Sequence, residues 1–138
     1  MSRQVLVVEA GGRLFALPSE SVREITTMLP TTRLPGASAD VRGLANLRGQ
    51  LFAVLDLAHR MFGAPSDAAD PDIVVLSVSG KTLGLVVDEV REVVSVDASA
   101  WESAAGSGEG SLVSGMGHFG ESVVIEVDVQ ELVKQALA

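Results

Sequence analysis

At 138 residues and 14.3 kDa, the chain is one domain's worth of sequence, long enough to bury a core without staples and too short for a second enzyme domain. It contains no cysteine, which excludes disulfides, thiol nucleophiles and thiolate zinc sites. A net charge of -8 opposes non-specific binding to nucleic acid, which depends on Lys and Arg neutralising phosphates.

The charge is uneven. Seven arginines stand against five acids up to Gly63, and three bases against thirteen acids beyond it. Two faces of different sign suit a protein that meets more than one partner. Hydrophobic residues make up 47% of the chain but aromatics only 4%, and many Val and Leu fall in short runs. The longest, such as Ile73–Val78, are far below the ~20 residues a membrane helix needs. The opening MSRQVLVVEAGGR lacks the long apolar stretch and cleavage site of a signal peptide, so a cytoplasmic location is expected.

Val5–Val8 and Leu14–Leu17 read as strands joined at Gly11-Gly12, since paired glycines supply the positive φ of a tight hairpin. Ser21 and Glu24 have capping-box spacing, but Ile25-Thr26-Thr27 is β-branched, so one helical turn is expected to give way to a strand. Leu29–Ala39, with Pro30, Pro35 and Gly36, reads as a loop. Val41–Leu47 and Gln50–Leu55 flank Arg48-Gly49 as a second hairpin. Asp56 is placed to cap a short helix, Leu57–Phe62, that Gly63 stops. Ala64–Asp72 is a polar loop. Ile73–Val78 and Thr82–Val87 form a third hairpin around Ser79-Gly80, and their continuous apolar character predicts burial on both faces. Val90–Val96 is a strand and Asp97–Ser111 a small polar loop. Leu112–Met116 and Ser122–Val127 flank a glycine-rich turn. Asp128–Ala138 closes as a helix, with Asp128 and Glu131 as a capping box and Val129, Leu132, Val133 and Leu137 on one face. Eight to ten strands against two or three short helices predict a mainly β barrel or sandwich.

Catalytic groups are sparse. His59, on a short helix, and His118, in a turn, read as ordinary surface or half-buried residues. No nucleophile elbow accompanies them. Asp67, Asp70 and Asp72 lack the Gly and terminal Glu of a calcium loop. Gly115-Met116-Gly117-His118-Phe119-Gly120 matches G-x-G-x-x-G, but a strand follows where the dinucleotide motif needs a helix N-terminus. It reads instead as a hairpin whose bare backbone lets other strands approach. No enzyme activity, cofactor or metal is expected. On composition alone, Arg48 at its hairpin tip is a solvated turn residue.

Four segments in order change that reading. VRGLANLRGQLFAVLDL resembles the G-x-x-N-L-R-G hairpin and following Asp-Leu strand of the CheW family of bacterial chemotaxis adaptors. RLFALPSESVREI resembles that family's opening hairpin and V-x-E-I strand, KTLGLVVDEVREVV its G-x-x-V-D-x-V segment, and LVSGMGHFGESVVIEVDVQELV its closing hairpin and helix. The resemblance covers about residues 4–137 of a single domain, 1–138. It implies two small five-stranded β-barrels packed through a shared apolar interface, with terminal strands free to return to the first.

It also implies a function. CheW-like proteins are non-enzymatic scaffolds that bind a CheA-type histidine kinase, through its regulatory domain, and the cytoplasmic tips of chemoreceptors; other CheW-like domains are further potential partners. Nucleic acid and direct membrane insertion are not expected. The alternative is a solitary CheW-like domain that binds one partner and competes with array assembly, or one serving a pilus or developmental pathway. Carried over by motif, the partner-facing residues are Glu24, Gly43, Asn46, Arg48, Gly49 and Gly84, with Val22, Ile25, Val74 and Val75 lining a groove between barrels. Gly43 and Gly84 serve either contact or backbone shape, and Val74 and Val75 either the groove or the core. Arg48 either bridges to Glu24 or touches a partner directly. Aromatic anchors are few: Phe15, Phe52, Phe62, Trp101 and Phe119.

Overall fold

The computed structural model describes residues 2–97, 101–103 and 111–137. Most of the expected polar loop over 97–111 lies outside them. In chain order the elements are β1 (Ser2–Ala10), β2 (Arg13–Pro18), a single 3₁₀ turn (Ser19–Ser21), β3 (Val22–Thr27), β4 (Val41–Leu47), β5 (Gln50–Asp56), α1 (Leu57–Phe62), β6 (Asp72–Val78), β7 (Lys81–Val87), β8 (Glu89–Asp97), β9 (Glu102–Ser103), β10 (Val113–Phe119), β11 (Ser122–Val127) and α2 (Val129–Ala136). They form two sheets, ordered β8-β1-β2-β11-β10-β9 and β3-β6-β7-β5-β4. The second sheet is one unbroken stretch of chain. The first is assembled from both ends, because β11 returns to lie parallel to β2.

The two-part β architecture is as expected, with one correction. The first sheet has six strands, β9 adding two residues at its edge, and neither backbone ladder closes into a barrel among the described residues. A backbone bridge and side-chain contacts span the gap in the second sheet instead. Its edges are β3 and β4, and the chain after β3 crosses to β4 through a single bridge, in which Thr32 N and Leu44 N each donate to the other's carbonyl at 2.8 Å. Gly43 makes this bridge feasible. Its φ is 141°, and a Cβ there would overlap the Thr32 carbonyl.

Three clusters of buried side chains follow from the curl. Each sheet wraps a small core: Ala45, Phe52, Val54, Ile73, Val75 and Val86 in the second, and Val5, Val7, Ala16 and Val124 in the first. The shared cluster between the sheets is much larger, with eighteen buried residues that include Leu17, Leu55, Val74, Leu85 and Leu132. At about 1.5–3 kcal/mol for each fully buried large aliphatic side chain, most of the apolar stabilisation lies where the sheets meet. β6 shows why its sequence is continuously apolar: Ile73 and Val75 enter the inner core while Val74 and Leu76 enter the shared one.

Local signals explain most element ends. Gly11 and Gly12 have φ of 60° and 79°, as the tight β1–β2 turn requires. Asp56 caps α1 by accepting from His59 N at 3.1 Å, and Gly63 ends it in the left-handed region. Asp128 caps α2 by accepting from Glu131 N at 3.0 Å. The reciprocal half of that capping box is not made: Asp128 N already donates to the Leu112 carbonyl, and Glu131 accepts from Gln135. The Ser21–Glu24 capping box is also absent. The helical turn ends at Ser21, its N-cap is Pro18 without a side-chain cap, and Glu24 sits in β3.

In β10, Gly115 lets strand β9 approach as expected, with the Glu102 carbonyl 2.8 Å from where a Cβ would stand, and Gly115 and Gly117 together also admit the indole of Trp101. A Cβ at Gly115 would lie 2.7 Å from Trp101 Nε1, and one at Gly117 would overlap the ring. Trp101 Nε1 donates at 3.3 Å to Glu126, a buried carboxylate that also accepts from Ser114 and pairs with Arg3. The Arg3 guanidinium lies 5.9 Å from the indole centroid.

Two predictions follow. Leu132, fully buried, should cost about 2–5 kcal/mol when replaced by Ala, against about 1 kcal/mol for Asp128→Ala through loss of the cap, as read from urea midpoints. Gly117→Ala should expel the indole and red-shift the fluorescence of the single Trp; an unchanged emission maximum would show that Trp101 does not rest on this glycine.

Candidate functional site

The site is built where the second sheet fails to close. The β4–β5 hairpin turns on Arg48-Gly49, between the paired Leu47 and Gln50, and both turn residues have positive φ, 52° and 87°. Asn46 stabilises the turn, its side-chain oxygen accepting from Gly49 N at 2.9 Å. Gly suits the left-handed region. Arg does not, and its Cβ costs about 1 kcal/mol or more there.

That strained residue reaches across the gap to the opposite edge of its sheet. Arg48 Nη2 donates to both carboxylate oxygens of Glu24 in β3, at 2.6 and 2.5 Å. A register shift between Val22 and Glu24 sets the carboxylate opposite Val75. Arg48 remains 69% exposed against 26% for Glu24, so the guanidinium is half free to meet another molecule. A second contact runs the other way: Arg23 of β3 donates to the side-chain oxygen of Gln50, whose amide donates to Thr82 Oγ1 at 3.2 Å. Two guanidiniums thus flank one carboxylate, a locally positive spot on an acidic protein. Exposed apolar side chains border it, Ile25 on β3 and Leu51 on β5 beside Asn46.

The partner-facing residues named from sequence therefore divide. Glu24, Ile25, Asn46, Arg48 and Gly49 come together at the gap with surface to offer, and Val22 is half-buried beside them. Val74 and Val75 are corrected to core residues: neither has exposed surface, because β6 lies inside the sheet with a core on each face. Gly43 and Gly84 are buried too. Gly84 lies beneath Phe52, where a Cβ would come within 2.8 Å of the ring. Both glycines act through packing.

Sequence reasoning gave Asp56 only its capping role and missed Asp88. Asp56 is fully buried, and its Oδ2 accepts from Arg42 Nε and Nη2 at 3.2 and 2.7 Å and from Ser66 N at 3.0 Å. Ser66 Oγ in turn donates to Asp88, which also accepts from Gly11 N at 3.0 Å. This chain ties the end of β5 to the first hairpin of the other sheet. The signal was present, since Asp56 and Asp88 both fall inside quoted motif segments.

The arrangement holds no catalytic constellation. His59 is half-buried on α1 and His118 exposed on β10, and among the described residues no group of three His, Cys, Asp or Glu is placed to hold a metal. The glycine motif lies in β10 and its turn, with β11 where a nucleotide site would need a helix.

Two open-edged, curled sheets sharing a core, with a polar bridge across one gap, define a β module built to present surface. Residues 4–137 match the model of the CheW-like domain, and the chain belongs to that family. It is 36% identical over 95 residues to the probable chemotaxis protein CheW of Rhizobium etli, a region that is 68% of this chain and 61% of that protein. It is 26% identical over 137 residues to the chemotaxis protein CheW of Klebsiella aerogenes, covering 96% of this chain and 82% of the other. The crystal structure of the scaffolding protein TtCheW from Thermoanaerobacter tengcongensis superposes with a TM-score of 0.82 at 25% identity, covering 93% of this chain and 90% of that one.

The strain at Arg48 predicts an ordering of stabilities. Arg48→Gly loses an exposed ion pair worth under about 1 kcal/mol but releases the left-handed Cβ, whereas Arg48→Ala loses the pair and keeps the strain. In thermal melts the Gly variant should be at least as stable as wild type and more stable than the Ala variant. The reverse order would show that the turn is not strained.

Proposed function

We propose that this protein is a non-enzymatic coupling scaffold that joins the cytoplasmic signalling tip of a chemoreceptor to the regulatory domain of a CheA-type histidine kinase. The carrying observation is Arg48, an exposed guanidinium kept in an unfavourable backbone conformation where glycine would serve the fold better. Membership of the CheW-like family and likeness to chemotaxis and scaffolding proteins support the reading.

The physical account follows from the gap. A receptor tip is a helical hairpin, and docking a helix requires an apolar margin with a few fixed polar anchors. Ile25 and Leu51 supply the margin, and Glu24 holds Arg48 in one place so that its remaining donors can meet a carboxylate or helix-end carbonyls. The scaffold transmits receptor state without changing a covalent bond.

Mixing the protein with a kinase regulatory domain and a receptor signalling fragment should yield a ternary complex on size-exclusion chromatography. Arg48→Ala and Arg48→Gly should each weaken receptor or kinase binding at least tenfold, about 1.4 kcal/mol, with Arg48→Lys recovering only part, since an ammonium lacks the planar fork. Wild-type binding by both variants would remove Arg48 from the site. Failure of the wild-type protein to bind either partner would overturn the coupling function.

A further inference from the structure

The loop between β3 and β4 arches over the far end of the second sheet and borders an open pocket of about 300 Å³, apart from the Glu24–Arg48 gap. Its walls are fixed. The Thr32–Leu44 bridge anchors one end, and at the other Asp56 N donates to the Asp40 carbonyl at 2.8 Å while the Asp40 carboxylate pairs with Arg60 of α1. Between them Ala37 N and Val41 N close turns onto the Leu34 and Ser38 carbonyls. The volume is at the lower end of the range for small-molecule sites.

The lining is rich in donors and poor in free acceptors. Arg33, Ser38, Arg42 and His59 contribute polar side chains, and Asp56 is the one acid. Asp56 is already saturated, accepting four hydrogen bonds from Arg42, Ser66 and the His59 backbone. Arg42 is committed to it in part. The Arg33 guanidinium and the His59 ring have no hydrogen-bond or ion-pair partner among the described residues. A half-open pocket bordered by an exposed, unpaired guanidinium, a half-buried, unpaired imidazole and an acid already paired with Arg42 offers donors without a matching acceptor, the complement of an anion that accepts hydrogen bonds.

We propose that this pocket binds a small oxyanion of two or more negative charges, a phosphate or a compact polycarboxylate, held by Arg33 and His59 with Arg42 and Ser38 beside them. The site is independent of the coupling surface, so either assignment stands if the other fails.

The test titrates the full chain with inorganic phosphate, with citrate, and with sodium chloride at matched ionic strength, by calorimetry and by ¹H–¹⁵N NMR. Saturable binding of phosphate or of citrate in the millimolar range or tighter, with shifts confined to 31–42 and 56–65, is expected, and the stronger arm identifies the class. Arg33→Ala and His59→Ala together should weaken it at least tenfold, and Arg33→Ala alone, at an exposed side chain without a polar partner among the described residues, should weaken it while leaving the ligand-free melt nearly unchanged. Arg33→Lys should restore part. The proposal is overturned if neither anion saturates, if chloride gives the same shifts, or if the double variant binds like wild type.

Discussion

Each sheet curls far enough to wrap a core of its own but not far enough to complete its ladder. A curled sheet with free edges has unpaired backbone groups and an exposed seam, a liability that a closed barrel would remove. In the second sheet the seam is held by one backbone bridge, Thr32 to Leu44, and by two guanidiniums that cross it in opposite directions. In the first sheet the inner face beside the edge strand β9 is filled by Trp101, laid on two glycines above a buried carboxylate. The residues that manage the seams are the ones whose identity matters most.

The β4–β5 hairpin is not isolated from the rest of the molecule. β5 carries it at one end and Asp56 at the other. From Asp56 a continuous series of hydrogen bonds runs through Ser66 and Asp88 to Gly11 in the opposite sheet. Asp56 is the buried member of the series, and a buried carboxylate is tolerated only when its oxygens are bonded, so loss of its donors would leave it stranded. The two sheets are therefore fixed to each other by the shared apolar core and by a directional polar clamp beside it.

How much of this could be read from the chain depends on distance along it. Turns and caps are local, so Gly11-Gly12, the Asp56 and Asp128 caps and the Gly63 stop were legible residue by residue. The burial of β6 on both faces was legible from its unbroken apolar run. The groove that the resemblance assigned to Val74 and Val75 ran against that reading, and the run was the better guide, because both are core. The capping-box spacing at Ser21 failed because Glu24 had a stronger partner 24 residues away, and no local pattern records that. Trp101 and the glycines of β10 form a complementary pair whose meaning appears only when β9 is laid beside β10. Family resemblance singled out the Asn46–Gly49 hairpin; tertiary closure decided which of its neighbours have surface to offer.

Strain and exposure at Arg48 together separate function from folding. A residue selected only for the turn would be Gly or Asn, which enter the left-handed region with little or no steric cost. One selected only for the ion pair with Glu24 would contribute under about 1 kcal/mol, too little to offset the Cβ penalty with any margin. Neither term alone accounts for an arginine here. What remains is the part of the guanidinium that Glu24 does not cover, held at a fixed point above the seam between two exposed aliphatic side chains. Under the proposed coupling function the ion pair is a positioning device. Glu24 restricts the rotamers of a long flexible side chain before any partner arrives, so that less conformational entropy is lost on docking.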